Sequence, residues 1–328
     1  MVDGFLVYSD AFFLCGGSVC VGDHAFLAKE FVRPRLAYSS PMRLVSRKET
    51  ARPPQEPGIT LVLGSGGARG LAHIGVLQAL KEIRVPVRAV VGCSIGAQVG
   101  ALYCAGTSPE ALADTARRVG FSTVLKVFTP FPFGAGLVLD RGVRKFLRAG
   151  LHQKSIQDFA VPFAAVATDL QDGTEVVLDS GLAWSAVRAS ISMPGILAPH
   201  AHEGRRHLAD GALINPLPVS VARSRYPWPV VAAQAQLSPR LRPEIGGRFR
   251  RPFGWFQVAR LANETALWEL GQARLRECPP DVLVEPAVQE HGCFSYHQAT
   301  DLIRVGYDAA MRHAQAIRRF ALQKGILQ

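Results

Sequence analysis

Residues 92–96 read Gly-Cys-Ser-Ile-Gly and directly follow an apolar run, Val87-Arg88-Ala89-Val90-Val91. A Gly-x-Ser-x-Gly segment between a strand and a helix forces a sharp turn that lifts the serine hydroxyl out of the sheet. The flanking glycines remove side chains that would collide there. Such an elbow limits the fold: the strand must end where its helix begins, as in a sheet of parallel strands with helical crossovers.

The pattern upstream agrees. Ile59 to Leu63 reads as a short buried strand, followed by a loop of small residues, Gly64-Ser65-Gly66-Gly67-Ala68-Arg69-Gly70. Apolar spacing predicts a helix over Leu71 to Ile83, with Leu71, Ile74, Leu77 and Leu80 on one face. Arg88 to Val91 is the next strand and Ile95 to Ala105 the next helix. Further strands are expected at Phe163 to Ala167, Glu175 to Leu178, Val230 to Ala233 and Val282 to Val284. Further helices are expected at Pro109 to Val119, Arg141 to Ala149, Ala183 to Ser190, Phe256 to Arg276 and Gln298 to Gln323. Alternating strands and helices imply an α/β fold, a mostly parallel central sheet flanked by helices on both faces.

Residues 1–57 differ from the rest, being aromatic-rich and irregular and ending in a basic, proline-containing linker. They read as an N-terminal extension before a domain at 58–328, either disordered or a membrane-touching arm. Met42 offers a second place to start the chain. Asp3 and Asp10 break the pattern of a secretory signal. The six cysteines form no Cys-x-x-Cys pair, so free thiols in a reducing, cytoplasmic setting are expected. Cys93, beside Ser94, reads as a packing residue.

The chain carries 37 Lys and Arg against 26 Asp and Glu, a surplus of +11. That balance favours an anionic partner, and peripheral contact with an anionic membrane fits it. No nucleic-acid-binding motif accompanies the charge, so nucleic acid is not expected. No apolar stretch reaches the roughly 20 residues of a spanning helix.

The glycine loop fits neither nucleotide motif: a dinucleotide fingerprint has Gly where this chain has Arg69, and a P-loop closes on Gly-Lys-Ser/Thr. What remains is a set of backbone N–H groups at a helix start, which stabilises an anion. An ester attacked by Ser94 develops such an anion, so Gly64, Ser65, Gly66 and Gly67 are candidate oxyanion donors. Asp210, in His207-Leu208-Ala209-Asp210-Gly211-Ala212, is the candidate base. His291 and His297 follow it in chain order, so a Ser-His-Asp arrangement stays open. His200, His202, His207 and Glu203 fit a hairpin over Ala201 to Leu208 better than a metal site, and no metal or organic cofactor is expected.

Together, the run Leu63 to Leu77, the pentapeptide Gly92 to Gly96 and Asp210-Gly211-Ala212 resemble the patatin-like phospholipases, in particular bacterial members and those related to neuropathy target esterase. Ser190 to Gly195 and Asn215 to Val219 add to the resemblance, which covers roughly Ile59 to Arg319. Ser65 departs from it, since the loop usually carries glycine there. The resemblance implies a patatin-like three-layer fold and a Ser94–Asp210 dyad, with Gly66 and Gly67 in the oxyanion hole. It implies hydrolysis of fatty acyl esters of phospholipids or lysophospholipids through a Ser94 acyl-enzyme. On that resemblance Arg69 either holds the loop or approaches a lipid phosphate, or is a structural arginine paired with a carboxylate, and Phe128 to Gly136 is either a lid or acyl-chain wall, or a plain loop between helices. The rival readings are a non-catalytic lipid- or partner-binding protein and a Ser-His-Asp esterase or thioesterase.

Overall fold

The computed structural model describes residues 56–119, 124, 126–131, 134–242 and 254–323. The expected N-terminal extension lies outside the described residues except for Glu56 and Pro57, as do Pro132 and Phe133 of the candidate lid. All described residues fall in one compact unit, Ala51–Gln328.

The chain begins with the expected alternation. Strand β1 (Ile59–Leu63) leads through a 3-10 turn to helix α1 (Ala72–Glu82), then β2 (Val87–Cys93), α2 (Ile95–Cys104) and α3 (Pro109–Arg118). Ser108 caps α3 by accepting from the Ala111 N–H at 3.2 Å, and Pro109 sits in its first turn, where a missing N–H costs nothing. Next come α4 (Asp140–Leu151), β3 (Phe163–Asp169), β4 (Thr174–Leu178), α5 (Ala183–Ser190), β5 (His200–His202) and β6 (Arg205–Asp210). The chain closes with α6 (Val219–Arg225), β7 (Val230–Ala233), α7 (Gly254–Glu277), β8 (Val282–Val284), α8 (Ala299–Arg312) and α9 (Ala314–Gln323).

The eight strands form one sheet in the order β5-β6-β3-β2-β1-β7-β8, with β4 also paired to β3. The pairs β3–β2, β2–β1, β1–β7 and β7–β8 are parallel, and the pairs involving β4, β5 and β6 are antiparallel. β1 is buried along its whole length because both faces are covered. Ile59, Leu61 and Leu63 join a core with α1, α2, α5 and α8, while Val62 faces a second core with α6.

One junction of the sheet sets where Ser94 and Asp210 stand. β2 pairs with β3 up to Cys93↔Val166 and then leaves at the elbow. β4 occupies the opposite edge of β3, so β6 takes the vacated edge, starting at Ala167↔Asp210. The last residue of β6 therefore arrives in line with the first residue beyond β2. Asp210 meets Ser94 because one strand continues where another stops.

α1 is buried on more than the face its apolar spacing marks. Its second face is covered by α8, where the backbones nearly touch: a Cβ on Gly75 would lie 1.9 Å from the Ile303 carbonyl oxygen, and one on Gly306 1.9 Å from that of Ala72. The expected single helix from Gln298 to Gln323 is instead two, α8 and α9, separated by a tightened turn in which the His313 N–H reaches the Ala310 oxygen. No glycine or proline marks that break. α9 turns to bury Ile317 and Ala321 and to tie Arg318 Nε to the Ile83 oxygen at 3.1 Å.

Because backbone atoms cannot retreat as side chains do, Gly306→Val is expected to separate the two helices. Urea titration should show a loss of about 3 kcal/mol, the upper end for overpacking, and surface valines on α8 should not.

Candidate active site

At the elbow, Ser94 sits at φ +55° and ψ −123°, a conformation L-residues rarely adopt. The surrounding packing holds it there. A Cβ on Gly96 would lie 2.0 Å from the Leu63 carbonyl oxygen, and one on Gly92 2.5 Å from Ala97 Cα, so neither flank admits a side chain. The Ser94 N–H donates to Ser190 Oγ at 2.9 Å, and that hydroxyl donates onward to the Val166 oxygen at 2.6 Å. Strain of this kind persists only where neighbours over-determine it.

Ser94 Oγ donates to Asp210 Oδ2 at 2.6 Å. The other carboxylate oxygen, Oδ1, accepts the Ala212 N–H at 2.9 Å. Both residues are buried, at 7% and 4% exposure. Burial pushes the Asp210 pKa up to about 6, against the opposing pull of the hydrogen bonds from Ser94 and Ala212. The Asp210 backbone is fixed as well, its N–H donating to the Ser192 oxygen at 2.9 Å and its oxygen accepting from Thr168 Oγ1 at 3.0 Å. Asp210 is thus a carboxyl group of raised proton affinity in hydrogen-bond reach of a hydroxyl.

The glycine loop lies against the same space, and its donors divide. The Gly64 N–H donates to the Ala233 oxygen at 3.0 Å and the Ser65 N–H to the Pro216 oxygen at 2.9 Å. These two expected oxyanion donors are already committed to holding the loop, which corrects the four-residue expectation. The Gly66 and Gly67 N–H groups have no acceptor among the described residues, and both glycines line the cleft. Gly67 is at φ +59°, and a Cβ there would lie 2.6 Å from the Cys293 oxygen. Ser65 is not among the positive-φ residues, so its departure from glycine brings no backbone strain. Fully buried His73 holds the loop from below, its Nε2 2.8 Å from the Gly64 oxygen. Burial lowers its pKa to about 4, so the ring is neutral and Nε2–H donates.

Arg69 is 4% exposed, with Nε donating to the His291 oxygen at 2.9 Å and Nη2 3.4 Å from both Glu264 carboxylate oxygens. It ties the loop to α7 while lining the cleft. His291 contributes that backbone oxygen, and its Nδ1 lies 2.9 Å from Gln298 Oε1. His297 is exposed. Neither ring lines the cleft, so Ser94 and Asp210 come together without a described histidine between them. The expected hairpin is present as β5 and β6. His200 and His202 both bond Ser185 Oγ, at 3.0 and 3.1 Å.

The cleft holds about 480 Å³. Ser94, Asp210, Gly66 and Gly67 stand along it with apolar walls from Leu137, Met193, Ile196, Leu213 and Leu237. Leu137 adjoins the candidate lid. That segment is pinned, with the Phe131 N–H on the Leu137 oxygen, the Leu137 N–H on the Gly195 oxygen and the Val138 N–H on the Ile196 oxygen, at 2.8, 3.0 and 3.0 Å.

Two contributors had no role assigned from the sequence. Ser190 and Ser192 stand in a motif noted only for its resemblance, yet they hold the backbones of Ser94 and Asp210. Beneath them the buried Arg188 donates to Ser192 Oγ at 2.6 Å and Asp140 Oδ1 at 2.5 Å. α7 supplies Arg260 and Glu264 to the cleft on the same face as Leu267 and Gly271. Charged residues at core-facing spacing on that helix were the available signal.

A family model described as patatin-like phospholipase matches residues 61–223. The chain belongs to the patatin-like phospholipase family. An NTE family protein of Mycobacterium tuberculosis is 40% identical over 164 residues, 50% of this chain and 45% of the relative. Lysophospholipase NTE1 of Pyricularia oryzae is 29% identical over 285 residues, 79% of this chain and 18% of that protein. Mouse patatin-like phospholipase domain-containing protein 6 is 37% identical over 182 residues, 53% of this chain and 13% of the relative. The chain thus spans less than half the length of these curated relatives. Among solved structures, VipD from Legionella pneumophila aligns with a TM-score of 0.45 at 15% identity, covering 80% of this chain and 67% of that one.

Ser190→Ala would leave the Ser94 N–H and the Val166 oxygen buried without partners, a cost of about 1–3 kcal/mol. Relaxation of the elbow should lower kcat on a soluble ester more than it raises KM, and Ser190→Thr should restore part of it.

Proposed function

We propose that this protein is a serine acyl-hydrolase that cleaves fatty acyl esters of phospholipids or lysophospholipids with a Ser94–Asp210 dyad. The observation that carries the reading is the direct Ser94 Oγ to Asp210 Oδ2 hydrogen bond of 2.6 Å in an apolar cleft. The family, whose relatives include proteins named lysophospholipases, supports the substrate class.

Asp210 takes the Ser94 proton as Oγ attacks the acyl carbonyl. The resulting oxyanion sits where the Gly66 and Gly67 N–H groups have no other acceptor, and each such donor is worth about 3 kcal/mol in the transition state. Collapse breaks the ester C–O bond, and Asp210 hands its proton to the departing alcohol. Water, deprotonated by Asp210, then attacks the Ser94 ester, and collapse releases the fatty acid while Asp210 returns its proton to Ser94 Oγ. Burial makes the weak carboxylate base competent by raising its proton affinity. The apolar walls take the acyl chain. Leu137 and Phe294, apolar and exposed at the cleft, together with the basic surplus, favour work at an anionic membrane surface. Among the described residues no helix is long and apolar enough to cross a membrane.

Hydrolysis of a medium-chain p-nitrophenyl ester should fall at least about a thousandfold in Ser94→Ala and in Asp210→Asn. Fluorophosphonate labelling should vanish in Ser94→Ala. His291→Ala and His297→Ala should stay active, and loss of turnover in either would instead favour a Ser-His-Asp enzyme. Well-folded wild type that neither labels nor turns over would favour the lipid-binding reading.

The pH dependence has a defined sign. The dyad needs Asp210 ionised, so kcat/KM should rise with pH through an apparent pKa of about 6 and level off above it. A profile governed by the unperturbed carboxylate, flat from pH 5 upward, would contradict a buried base.

A further inference from the structure

Along the cleft wall formed by α7, three guanidinium groups converge on one carboxylate. Arg260 Nη1 lies 2.7 Å from Glu264 Oε1, Arg69 Nη2 3.4 Å from the same oxygen, and Arg242 Nη2 3.7 Å from Oε2. Glu264 is 16% exposed and the arginine side chains 5%, 11% and 29% exposed for Arg69, Arg242 and Arg260, so the group is shielded from bulk water. Among the described residues one carboxylate faces three permanent cations, which leaves two positive charges uncompensated within the cluster. Burial lowers the Arg242 pKa, with Arg69 and Arg260 adding to the effect and Glu264 opposing it.

Hydrogen bonding is as incomplete as the charge balance. Arg242 Nη1 donates to Thr265 Oγ1 at 2.9 Å, but its Nε and Nη2 are buried with no hydrogen-bond acceptor among the described residues. Arg260 makes one charged contact and a long one to Cys293 Sγ at 3.8 Å. A purely structural ion pair would not need three forked cations for one acid. Buried N–H groups left open at a cluster with surplus positive charge fit an acceptor-rich anion, and planar guanidinium forks match phosphate oxygens.

Arg69, Arg260 and Glu264 line the same cleft as Ser94 and Asp210. We propose that Arg260, Arg69 and Arg242 form a subsite for the phosphate of a glycerophosphate ester, so that the enzyme prefers acyl esters bearing phosphate on the same glycerol. This deepens the function proposed above and rests on it for the ester chemistry, while the anion site can be tested separately. Arg260, the most exposed of the three, is the residue whose loss should act on the substrate most directly.

The test uses a matched pair of soluble esters, 1-hexanoyl-glycerol 3-phosphate and 1-monohexanoylglycerol, both below their micellar concentrations. Wild type should show the higher kcat/KM on the phosphate-bearing ester. In Arg260→Gln the ratio of the two kcat/KM values should fall at least about tenfold, the loss expected for one charge-assisted contact. Arg260→Lys should recover part of the ratio, and Arg242→Gln should lower it in the same sense. Glycerol 3-phosphate should competitively inhibit monohexanoylglycerol hydrolysis and raise the wild-type melting temperature more than inorganic phosphate or hexanoate at equal ionic strength. A wild type that favours the uncharged ester, or a ratio unchanged in Arg260→Gln, overturns the subsite. So does stabilisation by inorganic phosphate or hexanoate but not by glycerol 3-phosphate. Failure to hydrolyse either ester, with glycerol 3-phosphate still stabilising the fold, would sink the hydrolase reading and leave the anion site standing.

Discussion

A carboxylate buried beside a hydroxyl, with no cation in contact among the described residues, is the constraint around which the rest of this fold is arranged. Asp210 is held by two hydrogen-bond donors, Ser94 Oγ and the Ala212 N–H, and not by an arginine. Its displacement from an ordinary pKa near 4 to about 6 corresponds to roughly 3 kcal/mol against the ionised form at neutral pH. The sign follows from the raised pKa: the folded state holds the proton more tightly than the unfolded chain. That stabilisation is complete below the unfolded pKa and is lost as pH rises through about 6. At neutral pH the fold therefore carries an unfavourable group that its packing must offset. The strained Ser94 backbone is a second such load, held at the same place.

Both loads are carried by the sheet junction and by α5. β6 continues the edge of β3 that β2 leaves, so Asp210 and Ser94 are registered by main-chain pairing and not by side-chain reach. The end of α5 then holds both backbones, Ser190 at the serine and Ser192 at the aspartate, with Arg188 and Asp140 bracing Ser192 from beneath. A Ser94–Asp210 distance set in this way does not depend on the rotamer of a long side chain.

Much of the scaffold was legible in the sequence because its signals are local. The elbow glycines, the buried apolar runs and the Ser108-Pro109 start of α3 each carry their own stereochemical reason. Ser94 and Asp210 were legible as types, and the small-residue loop as a source of amide donors. The division of that loop was not legible. Whether the Gly64 and Ser65 N–H groups are free depends on Ala233 and Pro216, which lie far downstream in the chain. The break at His313 was hidden because nothing in the sequence of the two helices forbids continuity; the turn is imposed by where Ile317 and Ala321 find a surface to cover. Arg260 and Glu264 were hidden for a related reason, since a charged pair one helical turn apart reads first as a solvated face.

The clamps on the glycine loop come from far along the chain. The Ala68 N–H bonds the Cys293 oxygen, Arg69 bonds the His291 oxygen, and α1 beyond the loop is pressed in place by α8. A nascent chain that has emerged only as far as α6 already contains Ser94, Asp210 and most of their supports, yet lacks every one of these three restraints. Fixing of the glycine loop beside Ser94 is thereby deferred until the segment from His291 through α8 has been made. The elbow and its carboxylate are thus early parts of the fold, and the loop that faces them takes its place only when the segment from His291 through α8 packs against it.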